Sequence, residues 1–221
     1  MTEKQPLKWH NEVLTVYNDD CMNIMACYPD NYFDLAIVDP PYGIGDKFKG
    51  GKTGKMNFNG VVDKGWDIEP PNKDYFDELK RVSKNQIIWG GNYFLDNLNS
   101  SRCFIVWDKK ISEDFSLAMC ELAWTSFDKL AKIYRMSVPK TGNKIHPTQK
   151  PIPLYAWIYQ NYAEPNYKVI DTHLGSGSNA IAAHYYLTGA GAEFVGCELD
   201  NDYYNASIKR IAKETRQLKL F

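Results

Sequence analysis

The stretch from residue 169 to residue 178 reads VIDTHLGSGS, and it decides the fold class of this chain. The β-branched residues Val169 and Ile170 form a short apolar run, and two glycines then lead into a helix predicted from residue 178 to 188. A strand that enters a helix through a glycine-bearing turn lets a ligand approach the backbone and the positive N-terminus of the helix. The pattern predicts an α/β fold with a ligand site at the end of this strand.

An acidic strand end follows at the spacing of a nucleotide-binding fold. The segment VGCELD at 195–200 ends the next predicted strand about 20 residues further on, where a carboxylate typically binds the hydroxyl groups of a ribose. Glu198 is the candidate for this role. A nicotinamide-dependent dehydrogenase uses a similar geometry, but the third glycine of its Gly-x-Gly-x-x-Gly turn is absent because Ala180 stands there.

The rest of the chain alternates between strand-like and helix-like patterns. Runs rich in β-branched and aromatic residues predict strands at 14–17, 35–38, 86–89, 104–107, 122–125, 131–136, 169–170 and 194–197. Helical periodicity predicts helices at 74–82, 151–162, 178–188 and 201–216, with start signals at Asn72, Pro151, Ser178 and Asp200. Alternating elements predict a doubly wound, mainly parallel sheet, and the closely spaced strands between 104 and 136 predict an antiparallel edge.

Length and composition limit the class of protein. A chain of 221 residues is long enough for one substantial domain, so we expect a single domain over 1–221. No apolar run approaches the roughly 20 residues that span a bilayer. The polar N-terminus lacks the apolar core of a secretory signal, so we expect a cytoplasmic protein without a membrane role. Five scattered cysteines without zinc-ligand spacing predict reduced thiols and no metal site.

The net charge of −1 conceals an uneven distribution. Residues 129–150 hold six basic residues and no acidic one, and residues 44–65 hold five basic and two acidic residues. Lysine and arginine gain affinity for nucleic-acid phosphates by releasing counterions, so both segments are candidate contact surfaces. Two solvated loops without a ligand explain the same charges. The segment 44–65 is also a long glycine- and lysine-rich loop, and loops of that length are usually functional or disordered.

A second constellation reads LAIVDPPYG at residues 35–43. An apolar strand delivers it to the carboxyl edge of the sheet, where open α/β folds bind ligands. Pro40 and Pro41 stiffen the turn and remove two backbone donors, which leaves a pocket rich in acceptors. The Asp39 carboxylate and the Pro40 carbonyl can accept the hydrogens of an exocyclic amino group, and Tyr42 can stack on a base that has left the duplex. An ordinary turn with a capping Asp is the alternative interpretation.

A third motif, HPTQKP at 146–151, precedes the predicted helix at 151–162. By itself it is typical of a helix N-terminus with proline at the first position. In this order, the three motifs resemble the amino-methyltransferases of DNA restriction-modification and phage systems. The catalytic motif precedes the cofactor turn, as in the β class of that family, and the resemblance covers residues 13–212 in outline.

The resemblance implies a Rossmann-like methyltransferase fold that depends on S-adenosylmethionine. It divides the chain into a catalytic half at about 13–125, a short basic recognition segment at about 126–145 and a cofactor half at about 146–216. The implied reaction is methyl transfer to the N6 amino group of a flipped adenine in double-stranded DNA. Asp39 favours adenine, since cytosine N4 enzymes of this family more often have serine there. Cytosine N4, RNA adenine or protein amide acceptors, and a non-catalytic DNA-binding subunit, are the alternatives.

The family pattern also assigns the site residues. The catalytic turn comprises Asp39, Pro40, Pro41 and Tyr42. The S-adenosylmethionine site comprises Asp20, Asp39, Lys150, Asp171, His173, Gly175, Ser176, Gly177, Ser178 and Glu198. Thr172 and His173 depart from the usual Asp-Pro-Phe of the family. His173 therefore either packs on the cofactor or is a variant without special chemistry.

The recognition segment is short for this family. Either the loop at 44–65 shares in sequence recognition or a second subunit supplies the missing surface. We expect that the loop shares in recognition and that the protein also forms a homodimer. The predicted DNA-binding residues are Lys47, Lys49, Lys52, Lys55, Arg135, Lys140 and Lys144. The loop lysines are expected to hold phosphates, whereas Asn57, Asn59 and Arg135 have side chains able to read base edges.

Overall fold

The computed structural model describes residues 7–44, 69–114, 118–137, 144–146 and 148–216. In these parts of the chain the strands are β1 Leu7–His10, β2 Leu14–Asn18, β3 Phe33–Val38, β4 Ser83–Trp89, β5 Phe104–Asp108, β6 Cys120–Thr125, β7 Lys132–Arg135, β8 Lys168–Asp171 and β9 Glu193–Cys197. The α-helices are α1 Cys21–Ala26, α2 Lys73–Val82, α3 Ile152–Tyr162, α4 Ser178–Tyr186 and α5 Asn201–Arg216. None of these helices is long and apolar enough to cross a bilayer.

The nine strands of the described residues join one sheet in the order β1-β2-β9-β8-β3-β4-β6-β5-β7. The neighbours from β2 to β4 run parallel to one another, and β6 is antiparallel to both β4 and β5. The predicted mainly parallel sheet with an antiparallel edge is confirmed. A further antiparallel strand, β1, pairs with β2 and was not predicted, because its four residues carry no clear alternation of buried and exposed side chains.

Alternating side chains along the strands build a core on each face of the sheet. In β3, Leu35 and Ile37 join the core beneath α3, α4 and α5, whereas Ala36 and Val38 join the core beneath α1 and α2. Because helices cover both faces, the central strands read as continuous apolar runs. This three-layer arrangement leaves the carboxyl edge of the parallel strands accessible to a ligand.

The helix starts follow the capping signals in most cases. The Asn72 side chain accepts a hydrogen bond from the Tyr75 amide at 3.2 Å and begins α2 as predicted. Helix α4 begins at Ser178 as predicted, but Gly177, with φ +73°, is its N-cap, so Ser178 is the first helical residue and does not cap the helix. Helix α1 was missed, since its six residues are too short to show helical periodicity.

Candidate active site

The carboxyl ends of four adjacent parallel strands meet at one edge of the sheet. The strands are β2, β9, β8 and β3, and the acidic residues at or just after their ends are Asp20, Glu198, Asp171 and Asp39. Helix α2 follows β3 on one face of the sheet, and α4 follows β8 on the other. The chain therefore leaves the neighbouring strands β3 and β8 toward opposite faces of the sheet, and open α/β sheets bind their ligands at such a position.

A cavity of about 610 Å³ opens at this edge, a size typical of small-molecule and cofactor sites. The predicted residues that line it are Asp20, Asp39, Pro41, Lys150, His173, Gly175, Ser176, Ser178 and Glu198. Residues that line it but were not predicted include Asp19, Cys21, His146, Tyr155 and Tyr203. Four predicted residues, Pro40, Tyr42, Asp171 and Gly177, are not among the residues that line the cavity.

The turn between β8 and α4 is fixed from behind by α5. Gly177 packs so closely that a Cβ there would lie 2.9 Å from the Ile211 side chain. Arg210 of α5 donates to the Ser176 carbonyl at 2.7 Å and to the Ser178 hydroxyl at 2.9 Å. The turn is therefore held rigid on its outer side, while Gly175, Ser176 and Ser178 line the cavity.

Backbone amides orient the Glu198 carboxylate. The Gly175 amide donates to Oε2 at 2.8 Å, and the Asp200 amide donates to Oε1 at 3.0 Å. Burial raises the pKa of Glu198, and these amide donors oppose the shift. Asn18 ties the neighbouring strand ends together by donating to the Glu198 carbonyl at 2.8 Å.

Asp171 has a supporting position beneath the cavity. Its side chain accepts hydrogen bonds from Asn179 Nδ2 at 3.0 Å and from the His173 amide at 3.1 Å. Asn179 also donates to the carbonyl of Ile37 at 3.1 Å, so this cluster joins β8, α4 and β3. Burial raises the pKa of Asp171 to about 7.

His173, which departs from the family pattern, lines the cavity as an uncharged ring. Burial lowers its pKa to about 4. Its Nδ1 lies 2.9 Å from the Thr172 hydroxyl, and its ring meets the Tyr75 ring edge to face at 5.4 Å. The His146 ring packs against Tyr203 at 4.5 Å on the lining of the same cavity, so the structure supplies aromatic surface there.

Asp20 acts as the N-cap of α1 as well as lining the cavity. One of its carboxylate oxygens accepts from the Met22 amide at 2.9 Å. Its neighbour Asp19 accepts from the Asn23 side chain at 3.0 Å and also lines the cavity. The short helix α1 therefore holds a pair of acidic side chains at the end of β2.

Both oxygens of the Asp39 carboxylate have hydrogen-bond donors. The Tyr42 hydroxyl donates to Oδ1 at 2.7 Å, and the Lys150 ammonium binds Oδ2 from a position 111 residues away in the chain. Burial, together with the negative charge of Asp39, raises the pKa of Tyr42 well above its ordinary value. The phenol therefore keeps its proton and acts as the donor in this turn.

The Tyr42 ring is packed against Gly90 and Tyr93, which follow β4. Gly90 adopts φ +68°, and a Cβ there would lie only 2.2 Å from Cε1 of the ring. The Tyr93 ring stacks on Tyr42 with a centroid distance of 5.0 Å and an interplanar angle of 14°. Pro40 is buried beneath the turn, whereas Pro41 lines the cavity. The predicted catalytic turn is thus held in one conformation by its neighbours.

Lys150 is a buried cation with two carboxylate partners. Its side chain is 2% exposed, and its ammonium binds Asp39 and lies 3.2 Å from Glu121 Oε2. The ammonium also lies 5.1 Å from the centroid of the Trp89 ring. Burial lowers the pKa of Lys150, but the two carboxylates outweigh it and raise the pKa above its ordinary value. The family pattern places this lysine near the cofactor, and the structure adds a direct ion pair with Asp39, the predicted catalytic carboxylate.

Glu121 was missed by the sequence analysis. It lies at the start of β6, and because β6 is antiparallel, its first residues lie at the edge where the parallel strands end. Lys109, just after β5, binds its other oxygen at 2.7 Å. Burial raises the pKa of Glu121, but Lys150 and Lys109 outweigh this effect and lower it. We name the series Lys109, Glu121, Lys150 and Asp39 the charge chain, because its members alternate in sign.

Most of the predicted DNA-binding residues fall outside the described residues. These are Lys47, Lys49, Lys52, Lys55 and Lys140, together with Asn57 and Asn59. Arg135 ends the edge strand β7, is 61% exposed and lies 3.6 Å from Asp108. Lys144 is partly buried. Neither Arg135 nor Lys144 lines the cavity.

Comparison with known proteins identifies the family of this chain. The model of the DNA methylase family matches residues 99–209, half of the chain. YubD of Escherichia coli K12, which is named as a methylase, is 24% identical over 215 residues that cover 90% of this chain and 91% of YubD. The type II methyltransferase M.HinfI of Haemophilus influenzae is 22% identical over 248 residues, which cover 89% of this chain and 68% of that enzyme.

Solved structures show the same fold. The match to the crystal structure of M1.HpyAVI in complex with SAM covers 90% of this chain and 98% of the M1.HpyAVI chain, with a TM-score of 0.59 and 18% identity. The match to the PvuII DNA methyltransferase, described as cytosine-N4-specific, covers 97% of this chain and 95% of the PvuII chain, with a TM-score of 0.64 and 13% identity. The predicted methyltransferase fold is therefore confirmed.

Proposed function

This chain belongs to the DNA methylase family, and we propose that it transfers a methyl group from S-adenosylmethionine to the N6 amino group of adenine in DNA. The observation that carries the proposal is that the Asp39 carboxylate and the glycine turn of β8 and α4 line one cavity. A group that accepts hydrogens from an amino group therefore faces a backbone turn suited to a nucleotide-like ligand.

The cavity lining fits S-adenosylmethionine. Glu198 is oriented by two amides and is proposed to bind the ribose hydroxyls. Asp20 is proposed to lie near the adenine ring of the cofactor, and Gly175 and Ser176 near its methionine end, with Gly177, Ser178 and Asp171 supporting the turn. His173 and His146 supply uncharged ring surface, since burial lowers the pKa of each to about 4.

Asp39 is proposed to act on the amino group of the target base. An exocyclic amino group is a poor nucleophile because its lone pair is delocalised into the ring. Acceptance of its two hydrogens by the Asp39 carboxylate and the Pro40 carbonyl draws the nitrogen toward tetrahedral geometry. Although both Asp39 oxygens have donors, a carboxylate offers about four lone-pair sites, so it can accept a further hydrogen. Tyr42 orients Asp39 through its hydroxyl.

S-adenosylmethionine supplies a methyl group on a positively charged sulfur, and transfer forms the carbon–nitrogen bond as the carbon–sulfur bond breaks, with its electron pair left on the sulfur of S-adenosylhomocysteine. The amino nitrogen gains positive charge in this step, and the negative charge of Asp39 stabilises it. The methylated nitrogen then releases one proton to water. Alignment of the amino group with the methyl group supplies the remaining rate enhancement.

The target base is proposed to leave the duplex before it reacts. Asp39 is only 17% exposed, so a base that remains stacked in a helix cannot present its amino group to the carboxylate. Adenine is favoured over cytosine because position 39 holds Asp. Cytosine N4 remains the alternative acceptor, since a cytosine-N4-specific enzyme has the same fold.

The proposed DNA surface comprises the basic loop 44–65, Arg135, Lys140 and Lys144. We also propose a homodimer, because the segment at 126–145 is short for a complete recognition region. Light scattering of the purified protein, alone and with DNA, tests this assembly by its molar mass.

Mass spectrometry of nucleosides tests the reaction. The protein is incubated with S-adenosylmethionine and either unmethylated genomic DNA or RNA, and the nucleosides are then released and measured. N6-methyladenine from DNA is the expected product. N4-methylcytosine overturns the adenine assignment and leaves the transfer chemistry standing. Retention of labelled cofactor on a filter without any methylated nucleoside overturns the enzymatic proposal in favour of a non-catalytic subunit.

A further inference from the structure

The charge chain has a property that the proposed reaction does not use. The Lys150 ammonium binds one oxygen of the Asp39 carboxylate, which the amino group of the target base needs as an acceptor. It binds Asp39 Oδ2 and lies 3.4 Å from the Tyr42 hydroxyl. A resident cation at this carboxylate competes with the incoming amino group and opposes the positive charge that develops on its nitrogen.

Glu121 offers the ammonium a second carboxylate. Its Oε2 lies 3.2 Å from Lys150 Nζ, so the ammonium can stay paired without Asp39. The Lys109 ammonium binds the other oxygen of Glu121 at 2.7 Å and holds the carboxylate in place. The Lys109 and Glu121 side chains are 14% and 25% exposed, compared with 2% for Lys150. Without Glu121, the buried ammonium keeps Asp39 as its one carboxylate partner among the described residues.

We propose that Glu121 is a positioning residue that neutralises Lys150 and thereby frees Asp39 to bind the amino group of the target base. This inference rests on the proposed function, in which Asp39 accepts that amino group. Because Lys150 is shared between Glu121 and Asp39, Glu121 offsets part of its positive charge and leaves more of the negative charge of Asp39 available for the developing cation. Loss of Glu121 leaves Lys150 clamped to Asp39.

The proposal predicts a distinct pH dependence for Glu121→Gln. Burial acts to lower the pKa of Lys150, and the substitution removes one of the two carboxylates that oppose burial. The groups that face the ammonium are Asp39 and Tyr42 after β3 and Glu121 in β6. His146 is neutral, and the Trp89 ring does not titrate. In the variant the pKa of Lys150 is therefore expected to fall, and the inhibitory ammonium loses its charge at a lower pH.

The experiment measures kcat and KM for DNA methylation from pH 7 upward. At neutral pH and saturating substrates, Glu121→Gln is expected to lower kcat on the order of 100-fold, as for a group misplaced in an active site, and kcat is expected to rise with pH. The double variant Glu121→Gln/Lys150→Met removes a neutral pair and is expected to recover much of the lost kcat. If Glu121 acts only as a structural support, the double variant is not expected to recover kcat.

The control is Glu78→Gln. Glu78 is a partly buried carboxylate of similar exposure, 21%, paired with Arg81 on α2, away from the cavity lining. It is expected to leave kcat and its pH profile unchanged. Glu121→Asp, which keeps the charge, is expected to keep more activity than Glu121→Gln.

A second measurement does not depend on catalysis. Nitrogen NMR of labelled lysines in the cofactor-free protein follows the Lys150 ammonium during a pH titration of the wild type and of Glu121→Gln. A lower pKa in the variant supports the role of Glu121, and an unchanged pKa overturns it. Full kcat in Glu121→Gln also overturns it. A wild type that methylates no DNA refutes the proposed function instead, because the NMR titration still reports on the charge chain.

Discussion

Gly90→Ala is the sharpest test of how the fold builds the proposed catalytic turn at residues 39–42. Gly90 has φ +68°, and an added Cβ would lie 2.2 Å from Cε1 of the Tyr42 ring. Carbon atoms in contact normally lie about 3.5–4.0 Å apart, so the ring has to move by more than about 1 Å. The Tyr42 hydroxyl would then lose its 2.7 Å hydrogen bond to Asp39. A displacement of about 1 Å in an active site costs roughly 100-fold in rate, and we expect a loss of that order in kcat.

Gly191→Ala is the matched control. Gly191 lies just before β9, has φ +79° and has no atom within 4 Å of an added Cβ. Both variants put an L side chain in the left-handed region, which costs about 1–2 kcal/mol of folding free energy. Gly90→Ala adds an overpacking cost of about 1–3 kcal/mol, since it also displaces the ring. The difference between the two variants therefore isolates the contact with Tyr42.

The assay combines transfer of a labelled methyl group to DNA with urea unfolding of each variant. Gly191→Ala is expected to lose stability and keep wild-type kcat, whereas Gly90→Ala is expected to lose both. Wild-type kcat in Gly90→Ala, at the same stability as Gly191→Ala, refutes the reasoning. It would mean that the position of the Tyr42 ring does not matter for transfer.

Three other predictions test separate parts of the site. Asp39→Ala is expected to abolish methylation and to leave cofactor affinity, measured by equilibrium dialysis, within a few-fold of the wild type; full activity contradicts the assignment of Asp39. Lys150→Met is expected to lower the free energy of unfolding by about 3 kcal/mol in denaturant titrations, because it leaves the partly buried carboxylates of Asp39 and Glu121 without their shared cation, and a loss below about 1 kcal/mol argues against that account. His146→Gln is expected to reduce the decrease in the free energy of unfolding that accompanies a fall in pH. Burial lowers the pKa of His146 from 6.5 to about 4, so between these values the unfolded chain binds a proton that the folded protein excludes, and stability falls as the pH drops through this window by about 3 kcal/mol in total. Equal slopes for His146→Gln and the wild type in that window contradict the expected burial of a neutral ring.

The elements with strong local signals were predictable from the sequence. Asn72 caps the start of helix α2 because an Asn side chain can accept a backbone hydrogen bond there, and the apolar run before Asp39 is a central strand. Strand β1 and helix α1 have only four and six residues, so neither carries enough of a period to be recognised. Their formation depends on pairing with β2 and on packing against α2.

The residues of the candidate site also differ in whether a local sequence signal or a long-range contact determines their position. Asp39 and the glycine turn were identified from the sequence because each follows a strand directly, and the carboxyl ends of parallel strands share one edge of the sheet. Glu121 carries no such signal, because it begins a strand and reaches that edge only through the antiparallel direction of β6. The contact of Glu121 with Lys150 and the contact of Gly90 with Tyr42 each join residues that are far apart in the sequence. The local pattern determines the type of element and its ligand edge, whereas strand order and direction, set by tertiary packing, decide which side chains meet there.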